Sequence, residues 1–306
     1  MLLEDNNPLA SEPPQPSDLV PQSVEIQSVT EPPFLTEAPN AQDAAVRHRP
    51  EVPEDIRTPW DWIDLIIFAL LALGGAFFVT IGVVFLFAVV LHIGAAQIRT
   101  SSAARTYFAV TNQVVLSLAL LGYIAVQIRS REKVPVWRTL GWRPLNTGRR
   151  KSWVVYSALV ASGVVLSFLV ESASAAFHPK TKLPIEVFFQ DRRSALVLMS
   201  LSVLLAPFFE ETIFRGYIYP PIARRIGITG SIIVTGVLFG VLHAPQLWGG
   251  WAQIGLLILV GIVFTYARAK TGTVVASYLL HLSYNSFLFL GFLVGSHWLR
   301  AVPGGH

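Results

Sequence analysis

Three short stretches carry side chains suited to chemistry. Glu210, Glu211 and Arg215 stand at the end of an apolar run that begins near residue 195 and holds no other charge. In hydrocarbon each ionisable side chain costs at least a few kcal/mol, so such residues face a protein interior and serve a purpose. On a helix, Glu211 and Arg215 are four apart with the acid first, the favourable order for an ion pair. Glu210 lies about 100° round the helix, and its own i+4 neighbour is Phe214. One carboxylate is therefore tied and the other is left without a local counter-charge. Phe239 and His243, and His281 and Asn285, are likewise four apart, so each pair shares a helix face. A free carboxylate, two imidazoles and an amide suit general acid–base chemistry. Glu210, His243 and His281 are also a donor set that can hold zinc with a position open for water.

The elements that position these groups are membrane spans. Of 306 residues, 53% are hydrophobic and 14% charged, and the mean hydropathy is +0.54. Several uncharged stretches reach the roughly 18 residues that mark a span. The expected fold is all-α, a polytopic transmembrane helical bundle of about seven spans behind a disordered amino-terminal tail. Spans are expected near residues 64–91, 107–128, 152–170, 194–220, 229–243, 252–266 and 273–295, with Trp60 and Trp62 as interfacial anchors. Pro220 and Pro221 should end or kink the fourth. Between residues 129 and 151, eight Lys and Arg face a single acid, Glu132, which places that loop and the amino terminus in the cytoplasm. The loop carrying Lys180, Lys182, Arg192 and Arg193 is the exception to this charge pattern. Residues 1–57 are rich in Pro, Ser, Gln and acids and read as a cytoplasmic tail. Their start has neither the basic end nor the apolar core of a secretory signal. Residues 58–190 hold the first helices and the basic loop, 191–296 the motif-bearing core, and 297–306 a tail.

Measured along 1.5 Å of rise per residue, Glu210 and His243 lie at most about 21 Å from their basic-end anchors, His281 about 14 Å and Asn285 about 20 Å. All fall inside a hydrocarbon core about 30 Å thick, at similar depth. Asn112 and Gln113 read as inter-helix hydrogen-bonding groups, and the pairs Gly236/Gly240 and Gly291/Gly295 as packing notches. His48, His92, His178, His297 and His306 receive no role. The absence of cysteine excludes disulfides, thiolate zinc sites and a cysteine nucleophile. The net charge of +4 resides in membrane loops rather than in a nucleic-acid-binding face. A proton-coupled transporter would also keep Glu, Arg and His in mid-membrane, but no repeated halves are visible. A non-catalytic membrane scaffold or immunity protein is the other alternative.

The segments from Glu210 to Arg215, Phe239 to His243 and His281 to Asn285 resemble the EExxxR, FxxxH and HxxxN/B motifs of the CAAX protease and bacteriocin-processing (CPBP, or Abi) family. Its best-known branch is the type II CAAX prenyl endopeptidases. The resemblance covers residues 194–290 in order and spacing, and none of it extends to the first 190 residues. It implies an intramembrane endopeptidase acting on a membrane-associated, in the best-known cases prenylated, protein or peptide. Glu210 and His243 would activate water, His281 and Asn285 would face the oxyanion, and Glu211–Arg215 would brace the helix. The family has been described both as metalloproteases and as metal-free glutamate peptidases. The metal-free reading is the first expectation, with zinc on Glu210, His243 and His281 as the alternative.

Overall fold

Hydrocarbon offers no partner to a backbone N–H or C=O, so a chain crossing it closes its own hydrogen bonds as a helix. The computed structural model describes residues 53–177 and 183–299, and these contain helices and no strand. What the sequence predicts for residues 1–52, His178, Lys180, Lys182 and His306 lies outside the described residues. Among the described residues, six helical stretches are long and apolar enough to cross a membrane. They contain α1 (Trp62–Phe85, continued by a π turn over Leu86–Val90), α2 (Ser102–Arg131) and α3 (Ser152–Ala176). A long composite run follows, and then α7 (Trp251–Thr271) and α8 (Val274–Gly295).

The composite run, Arg192–Leu242, is 51 residues long, about 76 Å if straight. It comprises α4 (Arg192–Leu204), α5 (Ala206–Glu211), a π segment (Thr212–Ile218) and α6 (Tyr219–Leu242). The rings of Phe214 and Phe239 lie 5.2 Å apart, whereas straight helix would separate those positions by about 37 Å. The run therefore doubles back. The reversal sits at Gly227, whose φ of 80° and ψ of 166° fall in a region essentially restricted to glycine. Counted as two crossings, the run brings the bundle to seven.

Of the end or kink expected at Pro220–Pro221, the end is corrected: the helix passes from the π segment straight through both residues, which lie in the first turn of α6. Pro221 cannot donate to the carbonyl of Tyr217, four residues earlier. The indole N–H of Trp60 donates to that carbonyl instead, at 2.9 Å. Trp60 is thus no interfacial anchor; it is 1% exposed and stacked on Tyr217 with ring centroids 5.0 Å apart. Trp62 remains exposed. The end of the segment read as tail is also structured. Glu54–Ile56 form a 3₁₀ turn with Ile56 buried, and Asp55 receives two hydrogen bonds from buried Arg268, one to its carboxylate (2.9 Å) and one to its carbonyl (2.8 Å).

Two polar networks fix the π segment from below. The hydroxyl of Tyr217 donates to Gln127 at 2.5 Å, Gln127 donates to Asp64 at 2.9 Å, and Arg131 closes on both oxygens of Asp64. The basic loop folds up against the same place. A Cβ on Gly216 would meet the Leu140 carbonyl at 2.8 Å, and the Trp142 indole donates to Thr212 Oγ1 at 3.1 Å. At the start of α8, Thr273 Oγ1 donates to the carbonyls of Gly141 and Arg143. Gly236 and Gly240 are notches as expected: a Cβ there would fall within 3 Å of the α7 backbone at Ile262 and Ile258. Gly291 and Gly295 meet nothing within 4 Å, so that expectation is corrected. Asn112 accepts from Thr80 of α1, whereas Gln113 donates to Ser117 within its own helix.

Candidate active site

The motif residues are delivered by four elements: the last turn of α5 (Glu210, Glu211), the π segment (Arg215), the C-terminal cap of α6 (His243) and α8 (His281, Asn285). The entry to α5 is a break. Pro207 lacks the N–H that a continuous helix needs, and Leu205 joins α4 to α5 without belonging to either. Asn285 Nδ2 donates to the carbonyl of Ser202 just before this break, at 2.8 Å, tying α8 to α4. Immediately after Glu211 the helix widens into the π segment, a distortion that recurs at functional sites.

The two carboxylates are divided as their spacing predicts. Glu211 and Arg215 have 0% side-chain exposure and meet at 2.9 Å, whereas Glu210 is 22% exposed. Arg215 is satisfied on every nitrogen: Nη1 donates to Glu211, Nη2 to the Gly261 carbonyl at 2.9 Å and Nε to Thr265 Oγ1 at 3.2 Å. Its guanidinium also lies 4.6 Å from the centre of the Phe239 ring. Glu210 faces both histidines. Its Oε1 is 3.7 Å from His243 Nε2, and its Oε2 is 3.7 Å from His281 Nε2. Each separation slightly exceeds a direct hydrogen bond.

Second contacts fix how each imidazole presents itself. His243 Nδ1 donates to the Phe239 carbonyl at 2.7 Å, so in the neutral ring Nε2 carries a lone pair toward Glu210. His281 Nδ1 donates to Glu211 Oε1 at 2.9 Å, the same oxygen that holds Arg215. Glu211 is therefore more than a brace: it orients His281 from across the bundle. Its Oε2 is buried without a hydrogen-bond partner among the described residues. Phe239 was expected beside His243, but its other contacts and the Phe264 wall went unread in the sequence. Phe264 stacks 4.8 Å from His281, and Phe239 touches His243, His281 and Arg215 together. Ser283 points elsewhere, donating to the carbonyls of Leu279 and Leu280.

No group of three or more His, Cys, Asp or Glu among the described residues is arranged to hold an ion. The two histidines address opposite oxygens of Glu210, so Glu210, His243 and His281 form no ready three-ligand set.

The family model of Rce1-like type II CAAX prenyl endopeptidases matches residues 192–287. These residues form an Rce1-like domain. It starts at the first residue of α4 and ends in α8, two residues past Asn285, so every motif residue lies inside it. Outside it, the Rce1-like domain is held by Trp60, the basic loop and Asp55. An uncharacterized protein of Bacillus subtilis (strain 168), YyaK, is 29% identical over 158 residues, 49% of this chain and 48% of that protein. The chain thus matches about half the length of that curated relative. No solved structure matches the chain.

Proposed function

We propose that the protein is an intramembrane endopeptidase that hydrolyses a peptide bond of a membrane-associated substrate by glutamate-activated water. The observation that carries this reading is Glu210, a partly exposed carboxylate with an imidazole Nε2 3.7 Å from each of its oxygens. A water bound at the exposed edge of Glu210, beside His243, can donate one hydrogen to the carboxylate while an oxygen lone pair faces a peptide carbonyl. As the C–O bond forms, its proton passes to Glu210; Glu210 then returns it to the amine nitrogen as the C–N bond breaks. The oxyanion that forms meanwhile needs donors. Because Glu211 accepts from His281 Nδ1, His281 presents Nε2 to the site and can donate from it only as the imidazolium. Asn285 Nδ2 uses one hydrogen on Ser202 and keeps the other. Glu211, Arg215, Phe239 and Phe264 hold these groups and exclude bulk water. Ordinary protein groups complete this cycle, so the metal-free route is the one proposed.

The family resemblance makes a carboxy-terminal prenylated CAAX peptide the first substrate to offer, with the basic loop and amino terminus on the cytoplasmic side. The test is a comparison of peptide termini in membranes carrying the wild-type protein or Glu210→Ala. The expected result is one or more new termini produced only with the wild type. Identical terminus profiles, with both proteins inserted at equal levels, would overturn the reading.

A further inference from the structure

A shallow pocket lined partly by charged residues lies apart from the reacting groups. Asp61, Trp62, Pro221, Arg224 and Arg225 line a space of about 190 Å³ between the start of α1 and the first turns of α6. Its arginines are used differently. Arg224 donates to the carbonyl of Thr58 at 3.1 Å and to that of Trp60, so it holds the segment leading into α1. The Arg225 guanidinium lies over the Trp62 ring, 5.2 Å from its centre. Among the described residues it has neither a hydrogen bond nor an ion pair. Asp61 Oδ1 caps α1 by accepting from the N–H groups of Ile63 and Asp64. Two arginines and one aspartate leave a formal charge of +1 around the cavity. Trp62, Ile226 and Ile228, all more than two-fifths exposed, provide apolar surface on the adjoining turns of α1 and α6.

We propose that this cavity binds the phosphodiester of an anionic phospholipid from the leaflet on the basic-loop side of the bundle. A tryptophan at the start of a span stands at head-group level, and a basic pocket between spans at that level suits a lipid phosphate. Stacking on Trp62 holds the Arg225 fork in place, with its donors free for two phosphate oxygens. One monoanionic phosphodiester neutralises the local +1. A zwitterionic lipid would carry an ammonium into the same positive field. The exposed isoleucines can contact acyl chain, which favours a lipid over free phosphate. The inference is independent of the protease reading.

The experiment is native mass spectrometry of the detergent-solubilised full chain titrated with phosphatidylglycerol or phosphatidylcholine. The variants are Arg225→Gln, Arg225→Lys and, on the same face, Arg138→Gln. Wild type is expected to bind phosphatidylglycerol about fivefold more tightly than Arg225→Gln, the equivalent of about 1 kcal/mol for one arginine near a charged surface. Arg225→Lys should lie between them, and Arg138→Gln should match wild type. Equal affinity in wild type and Arg225→Gln would overturn the proposal, as would an equal loss in Arg138→Gln or no preference over phosphatidylcholine. Inorganic phosphate is added in competition: failure to displace the lipid supports a lipid site, and full displacement at equal concentration overturns it.

Discussion

At the scale of single residues, neighbouring carboxylates hold different work because they have different partners. Glu210→Gln keeps the volume but removes the base, and is expected to lower the cleavage rate by about a hundredfold to ten-thousandfold in a protein that still folds and inserts. Glu211→Gln strips the charge that balances Arg215, a change that costs about 3–5 kcal/mol for a buried pair, and also weakens the contact that orients His281. Thermal unfolding and cleavage measured side by side separate the two: Glu210→Gln should lose activity alone, Glu211→Gln activity and stability together. Equal stability in both variants would contradict the division. Metal dependence is decided at the same residues. Elemental analysis of the purified protein is expected to find no stoichiometric zinc, and cleavage should survive chelation. Near-stoichiometric zinc that departs with activity and restores it on return, and falls in His243→Ala, would defeat the metal-free route. Asn285→Ala should slow turnover by on the order of a hundredfold with little change in substrate binding.

At the scale of elements, the site depends on two interruptions of helix, at Pro207 and at Gly227. Gly227 makes the reversal that returns Phe239 and His243 to the level of Phe214 and Glu210. A Cβ there meets no neighbouring atom within 4 Å, so any penalty for Gly227→Ala comes from its positive φ alone. Such a conformation costs a non-glycine residue about 1–3 kcal/mol, and the denaturation midpoint is expected to fall accordingly; an unchanged midpoint would show that the turn does not need this backbone. Trp60 acts on the opposite side of the same run. Trp60→Phe retains the ring but leaves the Tyr217 carbonyl without its donor, at a cost of about 1–3 kcal/mol for a buried acceptor.

For the whole molecule, orientation follows from which ends the polar loops occupy. Thr273 bonds the carbonyl of Arg143 at one end of α7, and Gly249 lies just before its other end, with 21 residues of helix between. That length is about 30 Å, enough to span the hydrocarbon. The chain has no cysteine, so single cysteines report without background. One placed at Arg143 should react with a membrane-impermeant maleimide from the cytoplasmic side, and one at Gly249 only from the other. Labelling of both from one side would refute the seven-crossing arrangement and the shared depth of Glu210, His243 and His281.

The membrane bundle, the common level of Glu210, His243 and His281 and the Glu211–Arg215 tie were all legible in the sequence, because each rests on local geometry and the cost of charge in hydrocarbon. Four-residue spacing puts side chains on one face whatever else the protein contains. Contacts between distant segments left no such mark. That His281 leans on Glu211, that Trp60 caps the Tyr217 carbonyl and that Asp55 holds Arg268 depends on which helices become neighbours. The effect of Pro220–Pro221 was misread for a related reason. Here the helix runs on through both prolines, and a tryptophan far away in the chain gives the Tyr217 carbonyl the donor that Pro221 lacks. The reversal passed instead to Gly227, since only the packed bundle required the chain to turn there.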